Sequence, residues 1–300
     1  MIKKNSLYKS GLLSALLVVL FQLSGCEVIN PDEEIPSYLY IPKITLNTDY
    51  PSQGSNSNGI ADGWVYVDDY LIGVFELPAT IPVTKKGYCK VEIRAGIRKN
   101  GQSNSRMYYP FYSTYVKYTT LTPKVTDTLG PIVVGYQNNI NFKLIEGFDE
   151  LSTKFEITKR FLKDTFVTVT NPAEVFGGTG GSGLLEMKAD TSSILEIATI
   201  SEYSLPGSGA DVFVELDYKC DFQFTLGYIA IPSGDIPQYT SIITFYPTDS
   251  IWKKAYISLK EDIGSQAEGT KYKLFMGSAK GGKLYQPKIY IDNVKLVHFE

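Results

Sequence analysis

The chain is predicted to be all-β, with two sandwich modules behind an N-terminal leader. Three observations lead there. Short runs of alternating apolar and polar residues recur from residue 38 to the C-terminus, separated by clusters of Gly, Pro, Asn and Asp. No ten-residue window after residue 37 carries a helical apolar period. The 22 tyrosines and 15 phenylalanines are side chains that suit a pleated, half-buried surface. With 300 residues, 43% of them hydrophobic and 20% charged, the chain can form ordinary globular cores and is long enough for about two domains.

The leader comes first. Met1 to Ser10 holds three lysines, and Gly11 to Phe21 is apolar. That apolar run is too short for a bilayer core of about 30 Å, which needs about 20 residues. Residues 1–25 therefore read as a signal peptide. Leu23-Ser24-Gly25-Cys26 resembles the lipobox of bacterial lipoproteins. The resemblance implies a lipid on Cys26 and a membrane anchor; a plain signal peptide with a coincidental cysteine is the alternative. Residues 26–37 form a tether, with Asp32, Glu33 and Glu34 between Pro31 and Pro36. This acidic cluster resembles the surface-export signal of Bacteroidetes lipoproteins and implies an outer-membrane, cell-surface location. A solvated spacer is the alternative.

Net charge is −3 over the whole chain. Residues 1–25 carry three lysines and no acid, so removing them leaves 26 basic against 32 acidic residues, or −6. A mildly acidic chain without a basic block does not fit nucleic acid as a partner. In an oxidising compartment Cys89 and Cys220 could pair, but they fall in different modules and are expected as buried free thiols.

The first module spans residues 38–145, with strands expected near 38–46, 63–67, 89–93, 112–118 and 132–136. Val65 to Gly73 reads as strand, turn, strand, with Asp68-Asp69 at the tip. Pro78, Pro82 and Lys86-Gly87 then lead into Tyr88 to Ile93. These residues resemble PEGA-type and immunoglobulin-like β modules. Met107 to Tyr112, with Tyr115 and Tyr118, is unusually aromatic. It forms either an inter-module seam or a contact patch for a surface protein.

The second module spans residues 146–300, with strands expected near 166–169, 212–218, 223–229, 242–245, 255–259, 272–276 and 288–297. Its pieces come in a telling order: Gly147-Phe148-Asp149-Glu150, the glycine-rich Gly177 to Gly183, then Leu184 to Met187, Asp211 to Tyr218, Trp252 to Leu259, and Ile289 to Leu296 with Asp292-Asn293 inside. This order resembles the β-jelly-roll of carbohydrate-binding modules and related galactose-binding-like domains.

That resemblance implies glycan binding without catalysis. It also implies a structural Ca²⁺ where the opening segment, the glycine-rich loop and the last strand meet. Asp149 or Glu150, carbonyls between Gly177 and Gly181, and Asp292 would supply its oxygens. Strand alternation puts Asp292 on one face with Tyr290 and Val294. A carboxylate there needs either a cation or N–H donors from the loop. Glycan contact calls for exposed aromatic faces, for which the candidates are Tyr228, Tyr239, Tyr246, Trp252 and Tyr256. Core packing is the competing role, above all for Trp252. Tyr239 lies in a proline-bounded loop and is expected exposed.

No catalytic residue is expected. Gly178 to Gly183 matches G-x-G-x-x-G but lacks the strand–loop–helix setting of a dinucleotide site. Gly277 to Leu284 nearly matches a P-loop, yet Leu284 stands where a hydroxyl is required and a strand follows. The single histidine, His298, is the third residue from the end of the sequence. The expected function is thus a cell-envelope lipoprotein that binds glycan. One alternative is an adhesion component docking on protein. Another is a glycosidase, which would need two carboxylates about 5–9 Å apart in a cleft.

Overall fold

The computed structural model describes residues 33–300 except 162, 189–190, 208 and 283–284. The leader and Cys26 lie outside the described residues. The chain is all-β: an immunoglobulin-like sandwich is followed by a jelly-roll sandwich.

The first sandwich contains β1 (Ser37–Ile41), β2 (Ile44–Leu46), β3 (Asp62–Val67), β4 (Tyr70–Glu76), β5 (Ala79–Val83), β6 (Gly87–Arg98), β7 (Arg106–Tyr108), β8 (Tyr115–Leu121), β9 (Thr126–Thr128) and β10 (Ile132–Val134). The run expected over 38–46 splits in two at Pro42, which has no N–H to give a ladder. β4, β3, β6 and β7 pair in that order, with β8 also on β6. Against them lie β5-β1-β9 and the pair β10-β2, in which β1–β9 and β2–β10 run parallel. Asp68 and Asp69 take φ of 48° and 69°, the left-handed pair that a two-residue hairpin turn requires. Leu39, Ile41, Val65, Val91, Ile93 and Cys89 fill the core between the layers.

The second sandwich contains β11 (Ile140–Glu146), β12 (Phe155–Lys159), β13 (Thr165–Val169), β14 (Ser182–Glu186), β15 (Ser193–Thr199), β16 (Tyr203–Ser204), β17 (Val212–Cys220), β18 (Phe224–Ile231), β19 (Gln238–Phe245), β20 (Lys253–Ser258), β21 (Lys271–Lys280) and β22 (Lys288–Phe299). One sheet runs β13-β14-β22-β17-β20, with β11 beside the second half of β22. The other runs β12-β15-β21-β18-β19, with β16 beside β21. Val214, Leu216, Cys220, Leu226, Met276 and Leu296 pack between them. Cys89 and Cys220 are both free and buried, as expected.

Two expectations need correcting. The module boundary at 145/146 cuts off β11, whose pairing with β22 from Ile140 to Glu146 makes it part of the second sandwich. The alternation expected along the last strand also breaks. Asn293 takes φ of 48°, and the β17–β22 register shifts beside it. This bulge keeps Asp292 on the outer face and turns Val294 into the core.

The aromatic stretch divides. Tyr109, Phe111 and Tyr112 are buried in the seam, against Phe213 and Tyr256 of the second sandwich. Tyr118 stays outside, stacked on Tyr88.

Candidate functional site

The candidate residues of the second sandwich divide among its core, its outer faces and the loops at its edge. The sheet centred on β22 turns its outer face towards the first module. Strand alternation on β17 points Phe213, Glu215, Asp217 and Lys219 outwards. Phe213 joins the seam. Glu215 is wholly buried and accepts hydrogen bonds from the Tyr109 hydroxyl at 2.7 Å and the Tyr136 hydroxyl at 2.8 Å. Lys254 Nζ lies 3.8 Å from Glu215 and 3.5 Å from Asp217. Lys295 donates to the Ser55 carbonyl at 2.7 Å and to the Tyr136 hydroxyl at 3.2 Å. Burial pulls the Lys295 ammonium down to about 8, against the pull of Glu215. This face is an internal interface with its charges compensated within the protein.

Tyr256 belongs to that interface. It is 1% exposed, 3.1 Å from the Tyr112 hydroxyl, and accepts the Gly59 N–H at 3.0 Å. Tyr228 is 2% exposed and sits in the core between the sheets. Burial removes both from the residues that can face a ligand. Trp252 is half-buried on the outer face, not in the core. Its ring meets Phe176 edge-on at 5.5 Å, and Lys219 Nζ lies 5.0 Å from its centre.

The sheet centred on β21 leaves its outer face open. A cavity of about 260 Å³ lies on it. Gly277 and Ala279 of β21 line its floor. A Cβ on Gly277 would come within 3.2 Å of the Leu195 carbonyl oxygen, so glycine keeps the floor low. Ile194 and Phe275 give apolar walls, while Gln223, Thr225, Ser241 and Thr244 line it with polar groups. Thr225 and Thr244 stand directly opposite across β18 and β19, with their hydroxyls 3.2 Å apart. Glu196 completes the wall and is held by the Thr158 hydroxyl at 2.8 Å and Lys159 at 2.9 Å.

Beside the cavity, the Tyr239 ring centre lies 5.5 Å from that of Phe275, and Lys159 Nζ lies 4.3 Å from its own centre. Tyr239 is 50% exposed. Phe275 can lie flat because Gly227 has no Cβ; one there would collide with the Phe275 ring and the Thr240 carbonyl. Of the expected ligand residues, Tyr239 adjoins this cavity and Tyr246, 67% exposed, stands beyond its edge. Phe275, Gly277, Glu196, Thr225 and Thr244 were missed. The signal was present in β21, where Lys271, Lys273, Phe275, Gly277 and Ala279 share one face that passes from charged to apolar to small.

The expected metal residues partly converge. Asp149, Gly177, Gly181 and Asp292 line one cavity of about 210 Å³ with Tyr50, which lies in the short helix α1 (Tyr50–Gln53). Glu150 lines a neighbouring cavity instead. Asp149 accepts the Gly181 N–H at 2.9 Å and the Tyr50 hydroxyl. Asp292 accepts the Ser182 hydroxyl at 2.6 Å and the Asn293 N–H at 2.6 Å. Burial pushes the Asp292 carboxyl up to about 7, with Asp217 and Asp149 adding to the rise against those hydrogen bonds. Gly177, Gly178 and Gly180 all take positive φ, and a Cβ on Gly181 would collide with the Phe148 carbonyl oxygen. Among the described residues no group of three or more His, Cys, Asp or Glu side chains gathers as a metal site. With both oxygens engaged and 4% exposure, Asp292 does not present a free acid to a substrate. His298 is buried on β22, with Nδ1 against the Phe299 carbonyl.

No family model matches the chain. No curated protein matches it. Several solved structures are similar to it. One concerns the promiscuous specificity of carbohydrate-binding modules from the β-sandwich superfamily; it is 12% identical, covers 89% of this chain and 99% of its own, and has a TM-score of 0.42. Another is the family 11 carbohydrate-binding module of a cellulosomal cellulase of Clostridium thermocellum, 14% identical, covering 52% of this chain and 94% of its own, with a TM-score of 0.38. A third is a family 61 module in complex with β-1,4-galactotriose, 15% identical, covering 50% and 93%, with a TM-score of 0.33.

Proposed function

We propose that the protein binds glycan without catalysis, on the open face of the β21 sheet. One observation carries this: the half-exposed Tyr239 ring beside a low-floored cavity walled by hydroxyls, an amide and the held Glu196 carboxylate. A sugar presents an apolar C–H face and a rim of hydroxyls. A ring accepts the first, and fixed polar side chains accept the second. Affinity electrophoresis of residues 26–300 through gels containing β-glucan, xylan, galactan or mannan tests the reading. At least one polymer should retard the chain, and Tyr239→Ala should restore free migration with an unchanged melting temperature. Free migration of the unmodified chain in all four gels would overturn it.

The lipobox-like Leu23 to Cys26 and the acidic tether support an outer-membrane, cell-surface lipoprotein anchored through Cys26. Detergent-phase partitioning of a Cys26→Ser chain decides that point, since membrane retention through its N-terminus would contradict it. The cradle of Asp149, Asp292 and the Gly177–Gly181 turns supports a structural Ca²⁺, to which two carboxylates and loop carbonyls would contribute oxygens.

A further inference from the structure

A second cavity adjoins the one on the open face. β19 is the edge strand. Thr244, on that strand, lines the cavity on the sheet face and also a second one of about 380 Å³ at the side mouth of the sandwich. The second cavity is built by both modules. Tyr218, Tyr246 and Lys253 bound it from the second, and Asn100 and Gln102 from the β6–β7 hairpin of the first.

That hairpin is fixed in place. Asn100 N–H donates to the Tyr256 carbonyl at 2.8 Å, and its side-chain oxygen accepts the Ser258 N–H at 3.0 Å. Tyr239 and Tyr246 stand at either end of the path, seven residues apart. At about 3.3 Å per residue they are roughly 20 Å apart, a span that takes several sugar units. The charges on the sheet face cancel in pairs, Lys159 with Glu196 and Lys273 with Glu156.

We propose that the two cavities form one site for an extended neutral oligosaccharide that crosses β19, and that the first module's hairpin closes its far end. The proposal rests on the glycan-binding reading and adds to it the length and charge of the ligand and a role for the first module. Tyr246 offers a second stacking face, while Gln102 and Lys253 offer donors to hydroxyls.

Calorimetric titration of residues 26–300 with trimers and hexamers of the cello-, xylo-, galacto-, manno- and laminari-oligosaccharide series tests it. The hexamer of the recognised series should bind about tenfold tighter than its trimer. Tyr246→Ala and Gln102→Ala should each weaken the hexamer about three- to tenfold, in line with loss of one ring contact or polar group, and leave the trimer unchanged. Tyr239→Ala should weaken both. Equal trimer and hexamer affinities, or a hexamer indifferent to Tyr246→Ala and Gln102→Ala, would overturn the extended site and leave the sheet-face reading standing. No binding of any oligosaccharide would remove both.

Discussion

Each large sheet of the second sandwich is built from six strands, and their outer faces carry different chemistry. The β22 sheet presents Phe213, Glu215, Asp217, Lys254, Tyr256 and Lys295, and the first module covers them. The β21 sheet presents Thr225, Tyr239, Phe275 and Gly277 around an open cavity. Both faces carry charge, but on the covered face Glu215, Asp217 and Lys295 are buried. Buried charges persist only where partners compensate them. Here the partners arrive from the first module as tyrosine hydroxyls and a backbone carbonyl. The open face has paired its charges and left the Tyr239 ring half-exposed, with Lys159 and Phe275 beside it. The covered face joins modules, and the open face is the one available to a ligand.

The covered face should give the largest effect. Glu215→Ala strips the acceptor from two buried hydroxyls and the countercharge from Lys254 and Lys295. A loss of about 3–5 kcal/mol is expected in urea unfolding, the range for breaking one side of a buried ionic network. A loss below about 1 kcal/mol would mean that the seam is not held through Glu215.

Asp292 gives an intermediate effect whose sign depends on pH. Its carboxyl is raised to about 7 from an ordinary value near 4. In metal-free protein the folded state therefore holds a proton that the unfolded state releases. The stability from this group is full below about pH 4 and is lost as pH rises through 7, at up to about 1.4 kcal/mol per pH unit. His298, lowered by burial, titrates with the opposite sign, so the difference between the natural chain and Asp292→Asn isolates the aspartate. Ca²⁺ would favour the ionised form and recover the loss at pH 8. Equal melting temperatures in calcium and EDTA at pH 8 would contradict the metal reading and leave the Ser182 hydroxyl and the Asn293 N–H, not N–H groups of the glycine-rich loop, as the partners of Asp292.

On the open face the effect on stability should be smallest. Tyr239→Ala is expected to change unfolding free energy by less than about 0.5 kcal/mol while abolishing retention by polysaccharide. A large destabilisation would place Tyr239 among core residues and blur the distinction between the faces.

Much of this was legible in the residues. The Val65–Gly73 hairpin followed from Asp68-Asp69, and the glycine-rich loop followed from the failure of any helix signal after it. The bulge at Asn293 was not legible, because a period of two gives no sign where an extra residue enters a strand. Nor was the covered face. Glu215 and Asp217 alternate with Val214 and Leu216 as on any solvated strand, and only the docked first module turns that pattern into a buried network. Tyr228, Tyr239 and Tyr256 are alike as single letters. Register decides that Tyr228 fills the core, Tyr256 fills the seam and Tyr239 faces outwards.

Hydrogen exchange on residues 26–300, with and without a retarding polysaccharide, tests the difference between the two faces most directly. The account predicts added protection in 225–231, 238–246 and 273–279, and none in 213–219 or 290–297, where the amides are already slow. Protection that appeared instead in 213–219 and 290–297, with β19 and β21 unchanged, would contradict it.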